Sequence, residues 1–474
     1  MHTRWPLKLG FGGDAVSANK HNMLSLYSLD SRVDKRWKAL AQQCQQILTE
    51  QQIALESPAT ILRDVATLIQ FLGPDGVVTK GRNGNLPLDC LPELNRRSSY
   101  PTQPGLTRAM LRDYPNVSGT FILLRVMDML QARGNRLVVC SAALEFWRRL
   151  NPAEQYFALL EALLFQAQTS VLGGEIRSLK PQEFRTTALF LAQLNDGWRN
   201  FHLYEASQYF GLPGELPPWY LFLLRQFGLV EIRPRSAAQR EQSNREVRGW
   251  LLGGARLTTW GTAVAWALLE LWKVREREEE DYENSADQPE ADREHAFEPG
   301  LRESPEALRD AEEFGVLQPV FQPYFPEWQT VFAHPKREDR SGTYLFKVTL
   351  GGGGGIWRRL AVPSDLTLDA LAGAILSAFG LDEDHLYNFR YRDQRGKSRL
   401  YAHPYTDEGP FTSEVTVAGT DLALKAEMEF TFDFGSYWQF KVLLEDVVAG
   451  ADQLEAVVIE SAGPPPKQYP VPES

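Results

Sequence analysis

Glu427-Met428-Glu429-Phe430-Thr431-Phe432-Asp433-Phe434-Gly435-Ser436-Tyr437-Trp438-Gln439-Phe440 is the stretch that decides the fold of the last third of the chain. Met428, Phe430, Phe432 and Phe434 alternate with Glu427, Glu429, Thr431 and Asp433, which is the period-two pattern of a half-buried strand. Trp438, Phe440, Val442 and Leu444 line the strand that follows. A two-residue turn at Gly435-Ser436 would set the aromatic faces of the two strands on opposite sides. A three-residue loop, Gly435-Ser436-Tyr437, pairs Phe434 with Trp438 and keeps one apolar face, so that loop is predicted.

Further strands lie upstream. Tyr387, Phe389 and Tyr391 alternate with Asn388, Arg390 and Arg392, and Tyr344, Phe346, Val348 and Leu350 share one face of another strand. Five glycines, 351–355, connect the latter to Trp357–Val362. They are not a phosphate loop, because no Lys-Ser/Thr follows and a strand stands where a helix N-terminus would be needed. Thr367 is a candidate N-cap for a helix presenting Leu368, Leu371, Ile375 and Phe379 at spacings of three and four. Strands and one helix in this order predict a small α+β domain.

The set Ile356-Trp357-Arg358-Arg359, Val362-Pro363, Leu366-Thr367-Leu368, Phe379-Gly380, His385-Leu386, Phe389 and Phe432-Asp433-Phe434-Gly435 with Trp438 resembles the plasmid pRiA4b ORF-3-like family over about residues 342–447. The residues that carry the signature are Trp357, Arg358, Arg359, His385, Asp433, Gly435 and Trp438. The resemblance implies an α+β domain found on plasmids, on transposons and in bacterial genomes, with no established enzymatic activity. Family members often carry further His and acidic residues where this chain has Ala372, Tyr387, Ser436-Tyr437 and Phe440. His385 and Asp433 remain.

Composition bounds the rest. A chain of 474 residues is too long for one core and implies several domains. No apolar run reaches the roughly 18 residues of a spanning helix, and the first residues do not read as a signal peptide, so a cytoplasmic location without membrane contact is expected. Cys44, Cys90 and Cys140 are few, odd in number and scattered, which predicts neither a disulfide framework nor a metal site, and no cofactor is implied. The net charge of −11 divides unevenly: +9 over residues 1–275, −12 over 276–316 and −8 over 317–474. A basic body, an acidic strap and an acidic domain follow from that division.

The basic body reads as helical with winged-helix-like modules. Residues 1–58 are an N-terminal segment with a helix from Asp34 to Gln52, whose start is crowded by Arg32, Lys35, Arg36 and Lys38. That is the unfavourable end of the helix dipole for cations, so the cluster is a candidate for an anionic partner as well as a solvated basic turn. Residues 59–200 are read as a degenerate winged-helix-like domain. It has helices at 59–72, Thr107–Tyr114, Gly119–Arg133, Ser141–Leu150 and Pro152–Ala167, the last opened by Asn151-Pro152 with Glu154 in its first turn. Residues 201–275 resemble a winged-helix domain more closely. A helix bearing Trp219, Phe222, Leu223 and Phe227 ends at Gly228, Leu229–Ile232 is a strand, and Arg256-Leu257-Thr258-Thr259-Trp260-Gly261 leads into a final helix. The polar loop between them carries Arg233, Arg235, Arg240, Arg245 and Arg248, which suit phosphate contacts because a guanidinium forks two hydrogen bonds onto one phosphate. Charged wings are equally common on winged helices that only dock proteins.

Residues 276–316, with Glu276 through Glu283 almost wholly acidic, are read as a largely disordered linker whose first turns extend the preceding helix. Residues 317–460 are assigned to the α+β domain and 461–474 to a Pro-rich tail. Three functions stay open. The first is a non-enzymatic adaptor or regulator linked to mobile elements, binding DNA or RNA through the basic region. The second is a protein-interaction scaffold acting through the C-terminal domain. The third is a metal-dependent hydrolase or nuclease built on Asp382, Asp384, His385 and Asp433, against which stands the frequency of acidic residues in turns between helix and strand.

Overall fold

A computed structural model describes residues 31–79, 85–103, 107–133, 135–172, 183–200, 202–204, 208–210, 216–234, 252–286, 314–335, 341–352, 355–406, 409–449 and 455–468. Two hydrophobic cores divide these residues. One runs from Trp37 to Phe332, the other from Tyr344 to Leu444.

The first core is helical. Helices α1 (Ser31–Glu50) and α2 (Ile61–Leu72) are followed by strand β1 (Val77–Val78), helices α3 (Leu91–Arg97) and α4 (Pro115–Val126), and the hairpin β2 (Leu130–Arg133) and β3 (Arg136–Val139). These strands form a sheet in the order β1-β3-β2. The helix expected over Gly119–Arg133 therefore stops early. Asp128 adopts a left-handed backbone, φ 56°, and the chain turns there into a strand. The helix expected over Thr107–Tyr114 is only a 3-10 turn, Leu111–Asp113.

Helices α5 (Ser141–Arg149), α6 (Pro152–Glu161) and α7 (Glu183–Gln193) come next. The expected cap of α6 is present: Asn151 Oδ1 accepts from the Glu154 N–H at 3.0 Å, and Glu154 Oε2 accepts from the Asn151 N–H at 2.9 Å. Strand β4 (Arg199–Asn200), the pair β5 (His202–Tyr204) and β6 (Gln208–Phe210), helix α8 (Pro218–Gln226), strands β7 (Val230–Pro234) and β8 (Leu252–Leu257), and helix α9 (Thr259–Ala286) complete the run. Strands β4, β8 and β7 again pair in the order first, third, second. Gly261 opens α9 because nothing larger fits. A Cβ there would stand 1.8 Å from the Leu229 carbonyl oxygen. Tyr156 ties three helices together, donating to the Phe227 carbonyl at 2.9 Å and accepting from Trp260 Nε1 at 2.9 Å.

Helix α9 continues through Ala286, so the acidic stretch begins as helix, and residues 287–313 lie outside the described residues. Residues 314–335, including the short helix α10 (Gln318–Phe321), return to the helical body rather than opening the C-terminal domain. Phe157 of α6 meets Phe321, Phe325 and Trp328, the last stacked at 4.6 Å with the rings within 2° of parallel. Two carboxylates of α6 hold the same segment. Glu154 Oε1 accepts from the N–H groups of Gln329 and Thr330 at 2.9 and 2.7 Å, and Glu161 accepts from those of Gly315 and Leu317 at 2.8 and 2.6 Å. The domain boundary expected at 317 thus falls after this strap.

The second core lies under a seven-stranded antiparallel sheet, order β12-β11-β13-β14-β9-β10-β15. Its strands are β9 (Thr343–Leu350), β10 (Trp357–Pro363), β11 (Tyr387–Arg392), β12 (Ser398–Ala402), β13 (Glu427–Phe432), β14 (Trp438–Val448) and β15 (Val457–Ala462). Helix α11 (Leu368–Phe379) packs on one face. Thr367 caps it as expected, its Oγ1 accepting from the Ala370 N–H at 3.1 Å, and Gly380 ends it at φ 70°. Strand β15 runs two residues, Ser461 and Ala462, into the stretch expected to be a tail from 461.

The β13–β14 hairpin corrects the predicted loop. Phe432 pairs with Trp438 and Phe430 with Phe440, so five residues, 433–437, form the turn and Phe434 is exposed. One apolar face is preserved as argued, but the switch comes two residues earlier. Asp433 and Tyr437 both take left-handed backbones, and the Tyr437 N–H closes the loop on the Asp433 carbonyl at 2.6 Å.

A polar seam joins the two cores. The β11–β12 turn inserts Gln394, Arg395 and Gly396 against the helical body. Arg125 of α4 donates to the Gln394 carbonyl at 2.8 Å, Arg395 donates to Asp128 at 2.9 Å, and the Ser398 N–H reaches Gln168 Oε1 at 3.1 Å. His334, at the end of the strap, stands 3.4 Å from the same Asp128 carboxylate.

Candidate nucleic-acid interface

Helices α4 and α8 occupy the same place in their respective units, immediately before a β-hairpin. Every residue of α4 is buried, as are Trp219 through Leu224 and Gln226 of α8. They are buried on each other: Gly119 of α4 leaves room for Leu223 of α8, whose Cγ would lie 2.7 Å from any Cβ added there. Neither helix has a face to lay into a DNA groove.

Exposed cationic surface sits on the strands instead. Alternation along β7 and β8 turns Val230, Ile232, Ala255 and Leu257 inward and Glu231, Arg233 and Arg256 outward. Trp198 lies over that outer face, with the Arg233 guanidinium 4.7 Å and that of Arg256 5.0 Å from its ring. Arg233 also donates to Asn200, and Arg256 pairs with Glu231 at 2.7 Å. Of the predicted wing arginines only Arg233 is described. Arg235, Arg240, Arg245 and Arg248 lie outside the described residues. Trp198 has no mark in the sequence, and Arg256 stands there only as the first residue of the segment leading into the last helix. No local pattern marks them, because strand pairing brings together residues that are 58 positions apart in the chain.

Of the cluster at the start of α1, Arg36 turns inward and Lys38 is paired at the surface. Arg36 donates to the Leu194 carbonyl at 2.8 Å, and burial lowers its pKa. Lys38 pairs with Asp34 at 2.7 Å, and Lys273 of α9 meets the same carboxylate at 2.8 Å. Lys273, then Lys38, hold Asp34 down to about 2. Lys35 is exposed, and the side chain of Arg32 is outside the described residues. The cationic cluster at this helix start is thus partly balanced from within the fold, which weakens the case for an outside anion.

In the sheet domain, the signature residues build architecture. Arg358 is buried, donating to the carbonyls of Ala378 at 2.8 Å, Trp357 at 2.9 Å and Ala462 at 2.9 Å, with Phe379 beneath its guanidinium. It thereby ties the end of α11 to edge strand β15. Arg359 pairs with Glu445 at 2.6 Å and with Glu460, and Trp357 lies between Arg359 and Lys347. Trp438 faces Phe432 across the hairpin.

Asp433 turns its carboxylate onto its own loop. Bonds from Ser436 first, then from the Gly435 N–H (3.0 Å) and the nearby His385, hold it below the usual carboxylate range. His385 is half exposed and stands 3.7 Å from Asp384 and 3.8 Å from Asp433. Asp382 and Asp384 are engaged by Gln468, which accepts from the Asp382 N–H at 2.6 Å and donates to Asp384 at 3.0 Å. Among the described residues no group of three or more His, Cys, Asp or Glu is placed to hold a metal ion. No helix among them is long and apolar enough to cross a membrane.

No curated protein matches the chain. Among solved structures, a protein of unknown function from Methanosarcina mazei Go1 is similar at 26% identity, over 26% of this chain and 70% of that one, with a TM-score of 0.24. A helix over one face of an antiparallel sheet, with Trp357, Arg358 and the Asp433 loop at its joints, is what the C-terminal signature residues build, and residues 343–468 match the family model of the plasmid pRiA4b ORF-3-like protein.

Proposed function

We propose that this protein is a non-enzymatic, nucleic-acid-associated adaptor. The observation that carries the reading is the outer strand face that keeps Arg233 and Arg256 at the surface beside Trp198. The strand orders β1-β3-β2 and β4-β8-β7, each with a helix directly before the hairpin, support two winged-helix-like modules. In a groove-reading winged helix, the helix before the hairpin supplies base contacts. Here both such helices are spent on packing, so the adaptor contacts backbone and exposed bases rather than base edges in the major groove. The plasmid named in the family description fits a role alongside mobile DNA, and the C-terminal domain is the face offered to a protein partner.

A mobility-shift assay with the full chain tests this reading. The expected result is a complex at low salt that dissolves as salt rises. Absence of a complex at low salt, with a protein partner captured through the sheet domain, overturns it in favour of a scaffold that does not touch nucleic acid. The burial of α4 and α8 is the observation that favours that second reading.

A further inference from the structure

The outer face of the β4–β8–β7 sheet carries a row of side chains that neither core uses. Trp198 and Asn200 stand on one side, Glu231 and Arg233 on the other, and Arg256 between them. Gly254 occupies the middle of the row. A Cβ there would stand 2.5 Å from the Arg199 carbonyl oxygen and 3.4 Å from Arg233 Nε. The glycine thus lets Arg233 lie across the sheet and reach Trp198 and Asn200. One indole and two planar guanidiniums are held together on this outer face, each half-buried, with the Arg256 side chain 37% exposed.

We propose that this face binds single-stranded nucleic acid, stacking unpaired bases on the planes of Trp198, Arg233 and Arg256 while the guanidiniums contact phosphates. The inference rests on the adaptor reading and names its ligand. Stacking on an aromatic or guanidinium plane tolerates any base, since every base presents a π-face. Duplex hides those faces, and reading it through the major groove would need a free α4 or α8. The pair Glu231–Arg256 engages one edge of that guanidinium rather than its plane.

The test is fluorescence anisotropy of a labelled oligothymidine and of a blunt duplex with the full chain. Three proteins are compared: wild type, Trp198→Leu, and the charge-preserving pair Arg233→Lys with Arg256→Lys. The oligothymidine should bind more tightly than the duplex. Trp198→Leu should weaken it by roughly tenfold. The lysine pair should weaken it severalfold although charge is kept, because an ammonium has no plane to stack. Thermal melts establish that each variant is folded. If Trp198→Leu does not fold, the lysine pair carries the test. Preference for duplex, or unchanged affinity in folded variants, overturns this inference and leaves the adaptor reading standing. Failure of wild type to bind either probe overturns both.

Discussion

Helix α4 and helix α11 are both twelve residues long, yet α4 is buried at every position and α11 at six. The difference separates the two regions of the molecule. Around α4 the chain folds helix on helix, and the mostly irregular 314–335 strap closes over α6. Around α11 a single helix covers one sheet face, and the other face keeps Lys347, Arg359, Glu429 and Lys441 in reach of water. In the helical body, α4 and α8 keep no free side, and Arg233 and Arg256 reach the surface from strands instead. In the sheet domain, the residues that identify the family are the ones that join helix, edge strand and hairpin.

The sharpest way to break this division is Phe157→Ala. Phe157 meets three aromatic residues of the strap, and its loss should cost about 3–5 kcal/mol. Calorimetry should show the helical body melting earlier while the sheet domain keeps its transition. A single transition shifted as a whole would mean that the two cores unfold as one. Arg395→Ala probes the joint between them. It strips a buried guanidinium from Asp128 and should cost about 3 kcal/mol. Limited proteolysis should then cut between the strap and β9 more readily than in wild type.

A pH titration separates the regions again. Burial pushes Glu161 up to about 7 even though two backbone N–H groups favour its charged form. The folded state therefore holds this proton between the unfolded carboxylate range and about pH 7, so stability is greatest below that window and falls as pH rises through it. The whole effect is on the order of 3 kcal/mol. Urea melts from pH 5 to 8 should show it in the body's transition, and Glu161→Gln should flatten it. The smallest effect belongs to His385→Ala. As a half-exposed side chain with no role in either core, it should leave stability within about 0.5 kcal/mol. Added Mn²⁺ or EDTA should shift the melting temperature of neither wild type nor variant.

Much of the local structure is legible in sequence where one residue carries the signal. Asn151-Pro152 with Glu154 announces the start of α6, and Thr367 that of α11, because capping depends on neighbours three positions away. The alternation of Met428, Phe430 and Phe432 places the hairpin, but Phe434 continues the pattern past the point where Asp433 turns the backbone left-handed. Asp128 ends α4 with no glycine or proline to mark it. The place of the strap is not legible in sequence, because Phe321, Phe325 and Trp328 are apolar in either setting and only packing decides which core receives them. The candidate site was half legible. Arg233 stands in a visibly basic loop, whereas Trp198 and Arg256 become its neighbours only through the pairing of three strands.

The measurement that bears most directly on the central claim is a salt titration of oligonucleotide binding by the full chain. Arg233, Arg256 and the four further wing arginines together engaging phosphates predict that log K falls linearly with log salt concentration at a slope of roughly −4. A slope near zero, or no binding at low salt, contradicts the account.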